Sequence, residues 1–502
     1  MAKICLCLTG KTLSQDVALL EKYRKYVDLV ELRADCLEAD ERLLIRRFPP
    51  MVDLPVILTI RREQDGGQFI GGEGSRISLL SKALAFADAD RRHNFAYVDM
   101  EEYLNVPSLE EAARTFGTRI IRSYHNIEGV DDNLVERLQG LRHIGDELVK
   151  VAVMPHSLED VVRLFSVGRE TMDMDKILLG MGNFGIPTRI LAEHLGSQIS
   201  YTTVQGDPDL PAAAPGQLDP KVLAELYRFR DITNKTRIFG ITGFPLIATF
   251  SPPFFNTLFS LEHTDAVYVP FPTDDIRSFI ALATALGMIG ASVTVPHKEG
   301  ILPFLTQVSP EVRSIGACNT IVSSAEGWTG FNTDAPGFSD TLLSFIGKKT
   351  LKGIRGTIIG AGGAARAVLA EVHRLHGKAL VLNRNVVRAR DLAAPYRAAW
   401  GPLDNQGIAL MDKYGDIIIQ TTSAGMEGHA AADPLALYTF SGKEVVMDLI
   451  YKPERTTCLQ RAEAAGCRVL NGYAMLIRQA QLQYSYFMGR EFPQHLMSRM
   501  HF

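Results

Sequence analysis

Six residues, Gly360-Ala361-Gly362-Gly363-Ala364-Ala365, constrain the fold of this chain more than any others. They follow an apolar run, Thr357-Ile358-Ile359, and lead into a helical pattern, Val368-Leu369-Ala370-Glu371-Val372. A strand, a glycine turn and a helix in that order predict a parallel, doubly wound sheet. The first glycine permits the tight turn, and the second lets the backbone approach a pyrophosphate. The small Ala365 lets helix and strand pack closely, so that an anion can sit on free N–H groups at the helix start. An acid about 20 residues further on would bind a free ribose 2′-OH, and an arginine would bind a 2′-phosphate. Past the next apolar run stand Asn383, Arg384 and Arg388, with no acid among them. The expected cofactor is therefore NADP(H).

At 502 residues the chain is too long for one ordinary core, and roughly two to four domains are expected. Hydrophobic content of 46% and charged content of 22% describe a soluble globular protein. A net charge of −4 gives no reason to expect nucleic acid or an anionic membrane as partner. Cys5, Cys7, Cys36, Cys318, Cys458 and Cys467 lack metal-ligand spacing and read as reduced thiols. No metal is expected. The N-terminus reads as a strand, not as a secretory leader, and no apolar stretch is long enough to span a bilayer. The expected location is cytoplasmic, with a plastid stroma left open.

Over the first 230 residues eight short apolar runs alternate with helical patterns: Ile4–Leu8, Val27–Leu32, Val56–Ile60, Tyr97–Asp99, Arg119–Tyr124, Leu148–Val153, Ile177–Met181 and Ile199–Thr202. This predicts a (β/α)8 barrel, whose functional residues belong at the C-terminal strand ends. Glu31, Arg33, Arg61, Asp99 and His125 collect there. Lys150 interrupts an apolar strand. Burying an ammonium is costly and favours the neutral amine, a nucleophile suited to imine formation, whereas a strand-end lysine reaching solvent would be inert. His125 on the neighbouring strand supplies an acid and base, which favours the catalytic reading.

Glu31-Leu32-Arg33-Ala34-Asp35, Thr59-Ile60-Arg61, Ser123-Tyr124-His125, Lys150-Val151-Ala152-Val153-Met154-Pro155 and Ala214-Pro215-Gly216-Gln217 resemble type I 3-dehydroquinate dehydratase. The resemblance implies that Lys150 forms an imine with the substrate ketone. His125 would remove the acidified proton and later deliver one to the leaving hydroxyl. Arg189 would hold the substrate carboxylate, and Glu31, Arg33, Arg61 and Gln217 would line the substrate site. Two positions depart from the family. Asp65 stands where a glutamate is expected to partner the histidine, and Ala213 replaces a lid-loop serine. The glycines of residues 66–72 suggest a mobile loop over the site.

A polar stretch at 231–236 reads as a linker, after which strands are expected at Ile238–Ile241, Ala266–Val269, Ser292–Val295 and Thr320–Val322. Lys298 and Asp334, if brought together, could exchange a proton with a hydroxyl while hydride passes at the same carbon. Val293-Thr294-Val295-Pro296-His297-Lys298, Gly316-Ala317-Cys318-Asn319-Thr320, Asn332-Thr333-Asp334, the glycine turn, Asn383-Arg384 and residues 472–480 resemble shikimate dehydrogenase. That resemblance implies Lys298 and Asp334 as the catalytic pair, with Thr294, Asn319, Tyr451 and Gln479 at the substrate. Thr249 and Ser251 match a family pair of serines for the substrate carboxylate, one of them changed to threonine. Gly360, Ala361, Gly362, Gly363, Ala364, Asn383, Arg384, Arg388, Thr422, Gly472 and Met475 would contact the cofactor.

The two resemblances share an intermediate, 3-dehydroshikimate, produced by the first half and reduced to shikimate by the second. The fold expected is α/β throughout: a dehydratase-like barrel over 1–230, a substrate-binding α/β domain over 237–340, a Rossmann domain over 341–480, and a C-terminal helix over 481–502. The alternatives are an NADP-dependent shikimate or quinate dehydrogenase with an inactive or sensory barrel, and a ligand-binding regulator. Retention of Lys298 and Asp334 argues against the regulator.

Overall fold

All eight apolar runs of the first half become strands in the computed structural model, which describes every residue except 86–87, 142–144, 208–209, 247–248, 428–431 and 501–502. They are β1 (Lys3–Leu8), β2 (Leu29–Arg33), β3 (Val56–Thr59), β4 (Tyr97–Glu101), β5 (Arg119–Asn126), β6 (Leu148–Val153), β7 (Lys176–Gly180) and β8 (Ile199–Thr202). Their order is β7-β6-β5-β4-β3-β2-β1-β8, and the pairs are parallel. A parallel bridge between Lys176 and Ser197, and a bond from Gln198 N to Lys176 O of 2.9 Å, bring the ring close to closure. Most positions of these strands are buried, and apolar residues dominate them outside β4 and β5. Cys5, Leu29, Ile57, Ile121, Leu148, Ile177 and Ile199 share one interior cluster.

Two compact units emerge, and the first carries more than the barrel. It comprises Met1–Ile241 and Pro245–Met288 among the described residues, and therefore includes β9 (Arg237–Gly243, up to residue 241) and β10 (Ala266–Pro272). The helix Ile276–Ala285 packs on the barrel helix Leu158–Glu170, where Arg169 donates to Ala285 O at 3.1 Å. Arg228 donates to the carbonyls of Thr264 and Ala266, and Arg230 pairs with Asp28 at 3.0 Å. The polar stretch at 231–236 is thus flanked by anchored residues.

The second unit holds residues 242–244 and 289–500. Within it run β11 (Gly290–Val293), β12 (Gln307–Val308), β13 (Thr320–Ser324) and β14 (Gly327–Phe331), in the order β11-β13-β14-β12. β13 and β14 form an antiparallel hairpin turned by Gly327, whose φ of +120° suits glycine. Neither β12, two residues long, nor the glycine-rich β14 carries an apolar run, so the sequence reading found neither. A parallel sheet follows: β15 (Arg355–Ile359), β16 (Lys378–Asn383), β17 (Ala399–Pro402), β18 (Ile417–Gln420), β19 (Val445–Asp448) and β20 (Arg468–Leu470), ordered β17-β16-β15-β18-β19-β20. The order reverses between β15 and β18, the crevice where doubly wound sheets bind ligands. The helix Tyr473–Met488 runs through position 481, where the sequence reading began a separate C-terminal helix. Among the described residues no helix is long and apolar enough to cross a membrane.

Candidate active sites

Strand parity aims polar side chains into the barrel mouth. Ser123 on β5 faces Lys150 on β6 in register, and Glu101 on β4 faces Ser123. Lys150 is 5% exposed, and its Nζ lies 3.0 Å from Asp99 Oδ2. Burial is therefore only part of its environment, because the carboxylate offsets the cost of an enclosed ammonium. Arg61 bridges Asp99 at 2.8 Å and Glu101 at 2.6 Å, and Ser123 donates to Asp99 at 2.6 Å. Burial alone would raise the Asp99 pKa, but Arg61 and Lys150 outweigh it and hold this carboxyl well below the usual range. His125 is half-buried and its Nδ1 has no hydrogen-bond partner. Desolvation, then the Arg61 and Lys150 cations, push its pKa well below the imidazole value, with Asp99 opposing. It is neutral at neutral pH and able to accept a proton.

Lys150, His125 and Arg61 line a cavity of about 360 Å³ together with Glu31, Arg33, Asp65, Arg189 and Gln217. Every barrel residue predicted from the sequence is thus brought to one pocket. Glu31 accepts from Thr59 at 2.7 Å and Cys7 at 3.0 Å, while Arg33 forks onto Asp35. Arg189 differs. It is 2% exposed and makes only long bonds, 3.4 Å each, to the carbonyls of Tyr201 and Pro215. Among the described residues its Nε is unpartnered and no carboxylate lies beside it, and burial lowers its pKa to about 10. An enclosed guanidinium without a counter-ion is built for an anionic ligand.

Asp65, the expected partner of His125, is engaged elsewhere: Arg62 binds it at 2.9 Å and the Tyr103 hydroxyl donates to it. The sequence reading noted Asp99 only as a strand-end acid and missed Glu101, Ser123 and Tyr201. The alternation of Asp99 and Glu101 along β4 was the available signal.

In the second unit Lys298 Nζ meets Asp334 Oδ2 at 2.5 Å. Asn319 holds the other oxygen of Asp334 at 2.9 Å, and the same amide donates to Thr333 Oγ1 at 2.9 Å. Thr333 Oγ1 donates in turn to Gln479 Oε1 at 3.4 Å, so Gln479 is joined to Lys298, Asp334 and Asn319 through a residue that was not predicted. Cys318 N donates to Lys298 O at 2.7 Å, and Thr294 N to Thr242 O at 2.9 Å, which fix the backbone around the lysine. Thr249 and Ser251 meet at the start of the helix Ser251–Leu261, in the first unit. Tyr451 lies in the loop after β19.

The glycine turn fits a dinucleotide. Gly360 has a φ of +113°, and a Cβ there would stand 2.6 Å from Thr421 Oγ1 and 2.9 Å from Thr422 Cγ2. Gly362 faces open space, and no side chain caps the helix Gly363–Arg374, leaving N–H groups free at its start. Ala361 and Ala365 are buried in the core behind the turn, while Ala364 is partly exposed. Arg384 and Arg388 are exposed beyond β16 and, among the described residues, make no ion pair, while Asn383 donates to Asn385 O at 3.0 Å. Gly472 lies against Leu449 O, where no Cβ would fit, and Met475 sits in the hydrophobic core. Gly363 lies against the Lys298 stem, placing the turn and the lysine side by side.

Comparison with known proteins finds the two families in the same two halves of the chain. The family described as Type I 3-dehydroquinase matches residues 4–234, and the Shikimate dehydrogenase substrate binding domain matches residues 241–321. The chloroplastic bifunctional 3-dehydroquinate dehydratase/shikimate dehydrogenase of Arabidopsis thaliana is 30% identical over 505 residues, covering 93% of this chain and 79% of that protein. Shikimate dehydrogenase (NADP(+)) of Geobacter metallireducens is 36% identical over 280 residues, 54% of this chain and 97% of that protein. The enzyme of the same name from Citrifermentans bemidjiense is 37% identical over 278 residues, 53% of this chain and 95% of that protein. The chain belongs to the family of bifunctional 3-dehydroquinate dehydratase/shikimate dehydrogenases.

Proposed function

We propose that this chain dehydrates 3-dehydroquinate to 3-dehydroshikimate in its barrel and reduces that product to shikimate with NADPH in its second half. The observation that carries this reading is a pair of lysine–carboxylate contacts, Lys150 with Asp99, buried, and Lys298 with Asp334, part-buried, each beside other residues expected at its site.

In the barrel, the Lys150 amine adds to the ring ketone and water leaves, giving a protonated imine that draws electrons from the neighbouring C–H bond. Neutral His125 takes that proton. The hydroxyl on the next carbon then departs with a proton from His125, as water, and a second water hydrolyses the imine to free Lys150. Asp99 balances the positive imine nitrogen, and Arg189 holds the substrate carboxylate. Glu31, Arg33, Arg61, Asp65 and Gln217 complete the pocket.

In the second half, bound NADPH supplies the hydride that turns the ring ketone into an alcohol. Lys298 delivers the proton to the carbonyl oxygen, and Asp334 keeps the ammonium oriented through its short contact. Asn319, Thr294, Tyr451 and Gln479 hold substrate hydroxyls. The backbone of residues 360–364 takes the pyrophosphate, Asn383, Arg384 and Arg388 the 2′-phosphate side, and Thr422, Gly472 and Met475 the nicotinamide side. The division at 1–230, 237–340 and from 341 onward belongs to the same reading, as does a reducing compartment, cytosol or plastid stroma, suited to six free thiols.

A coupled assay tests the whole. Purified protein given 3-dehydroquinate and NADPH oxidises NADPH, and Lys150→Ala abolishes this while sparing reduction of added 3-dehydroshikimate. The engagement of Asp65 by Arg62 and Tyr103 favours, as a second reading, a barrel without turnover. Wild-type protein that reduces 3-dehydroshikimate but traps no imine with borohydride would establish that reading.

A further inference from the structure

Among the described residues, four enclosed polar atoms on residues lining the barrel cavity lack a protein partner: His125 Nδ1, Arg189 Nε, Gln217 Oε1 and the Tyr201 hydroxyl. An enclosed hydroxyl left unpaired costs free energy, so a native pocket that keeps one offers it to water or to a ligand that displaces that water. Tyr201 is 3% exposed, on the last barrel strand. Its ring lies over Lys150, with Nζ 4.3 Å from the centroid, so the phenol is held beside the amine that bonds to substrate. The nearest acid in its surroundings, Glu31, is already occupied on both oxygens by Thr59 and Cys7.

We propose that the Tyr201 hydroxyl is a specificity-determining donor of the dehydratase pocket, which hydrogen-bonds a ring hydroxyl of the substrate while Arg189 takes its carboxylate. This rests on the dehydratase reading above. The division of labour follows from charge. A guanidinium without a counter-ion suits the anion, and a neutral donor suits a neutral oxygen. Desolvation, reinforced by Glu31, holds the phenol pKa well above its ordinary value, so the group remains a donor wherever the enzyme works. Through its ring face Tyr201 also favours the positive charge carried by Lys150 and its imine. The two roles are separable, because phenylalanine keeps the face and removes only the hydroxyl.

Tyr201→Phe is the test, with reduction of added 3-dehydroshikimate by the same protein as the check on folding. The KM for 3-dehydroquinate is expected to rise about threefold to tenfold, the worth of one neutral hydrogen bond. At saturating substrate, kcat and borohydride trapping on Lys150 stay within about twofold of wild type, since the imine chemistry keeps its groups. Substrate analogues lacking one ring hydroxyl at a time identify the partner: deleting it weakens binding to wild type but not to Tyr201→Phe. An unchanged KM, or an equal penalty for every analogue in both proteins, overturns the proposal. Absence of dehydration and of trapping in the wild type overturns the dehydratase reading itself, and this assignment with it.

Discussion

Gly363→Ala is expected to raise or preserve stability while slowing one of the two reactions. Gly363 opens the helix Gly363–Arg374 without a left-handed φ, so alanine is conformationally acceptable. In a helix interior that exchange is worth about 0.5–1 kcal/mol in favour of alanine. The obstacle is steric and local. A Cβ at 363 would stand 3.1 Å from Lys298 Cδ and 3.2 Å from Lys298 Cβ, where ordinary contact begins at 3.4 Å, so the lysine stem has to give by about 0.3 Å. Its ammonium is held at 2.5 Å from Asp334, which leaves little slack. A misplacement of about 1 Å costs roughly 100-fold in rate, so 0.3 Å is worth on the order of fourfold. Shikimate oxidation by NADP+ is therefore expected to lose about threefold to tenfold in kcat. Dehydration of 3-dehydroquinate by the same molecules stays unchanged, and the thermal midpoint does not fall. Gly362→Ala is the control, because its Cβ would meet no protein atom within 4 Å. It should weaken NADPH binding and leave kcat at saturating cofactor alone. Wild-type kcat in Gly363→Ala, or a parallel loss of both activities, would refute the steric argument.

Arg189→Met should raise the dehydratase KM by about 100-fold through loss of a buried charge-assisted contact. It should also stabilise the first unit by about 1–3 kcal/mol in urea melts, since an unpaired guanidinium is no longer buried; a destabilised variant would contradict this. His125 stays neutral until well below pH 6.5, so kcat/KM for dehydration holds through pH 6.5 on acidification and falls only beyond it. An inflection at or above 6.5 assigned to His125 by His125→Asn would count against its desolvation. Asp16, buried with one oxygen unpartnered, has its pKa raised to about 7 by desolvation, so the folded state holds an extra proton between the ordinary carboxyl value and pH 7. Its contribution to stability is thus full at acid pH and lost as pH rises through 7, by up to about 4 kcal/mol. Asp16→Asn should flatten that slope in melts at pH 5 and pH 8, and an unaltered slope would exclude Asp16 as its source. Arg384→Ala and Arg388→Ala should each raise the KM for NADPH about tenfold and leave that for NADH nearly unchanged; equal effects on both cofactors would remove the 2′-phosphate assignment.

Much of the fold was legible because it is written locally. Each barrel strand is an apolar run, and β6 and β8 begin and end where the sequence reading placed them. The short β12 and the glycine-bearing β14 were not legible, since their pairing comes from neighbours and not from their own periodicity. The residues around Lys150 were read as a set and not as a network. Asp99 and Asp65 are both acids near strand ends, and nothing local says that the first meets Lys150 across 51 positions while the second turns to Tyr103.

By itself, then, the sequence determined the eight barrel strands and the glycine turn, because each depends on residues within a few positions of one another, and it singled out Lys150 and Lys298 by the residues beside them. Only the tertiary structure decided that Arg189 is buried without a counter-ion, that Gly363 lies against Lys298, and that the Tyr201 hydroxyl has no partner. These are properties of what surrounds a side chain, set by strand parity and packing between segments far apart in the chain.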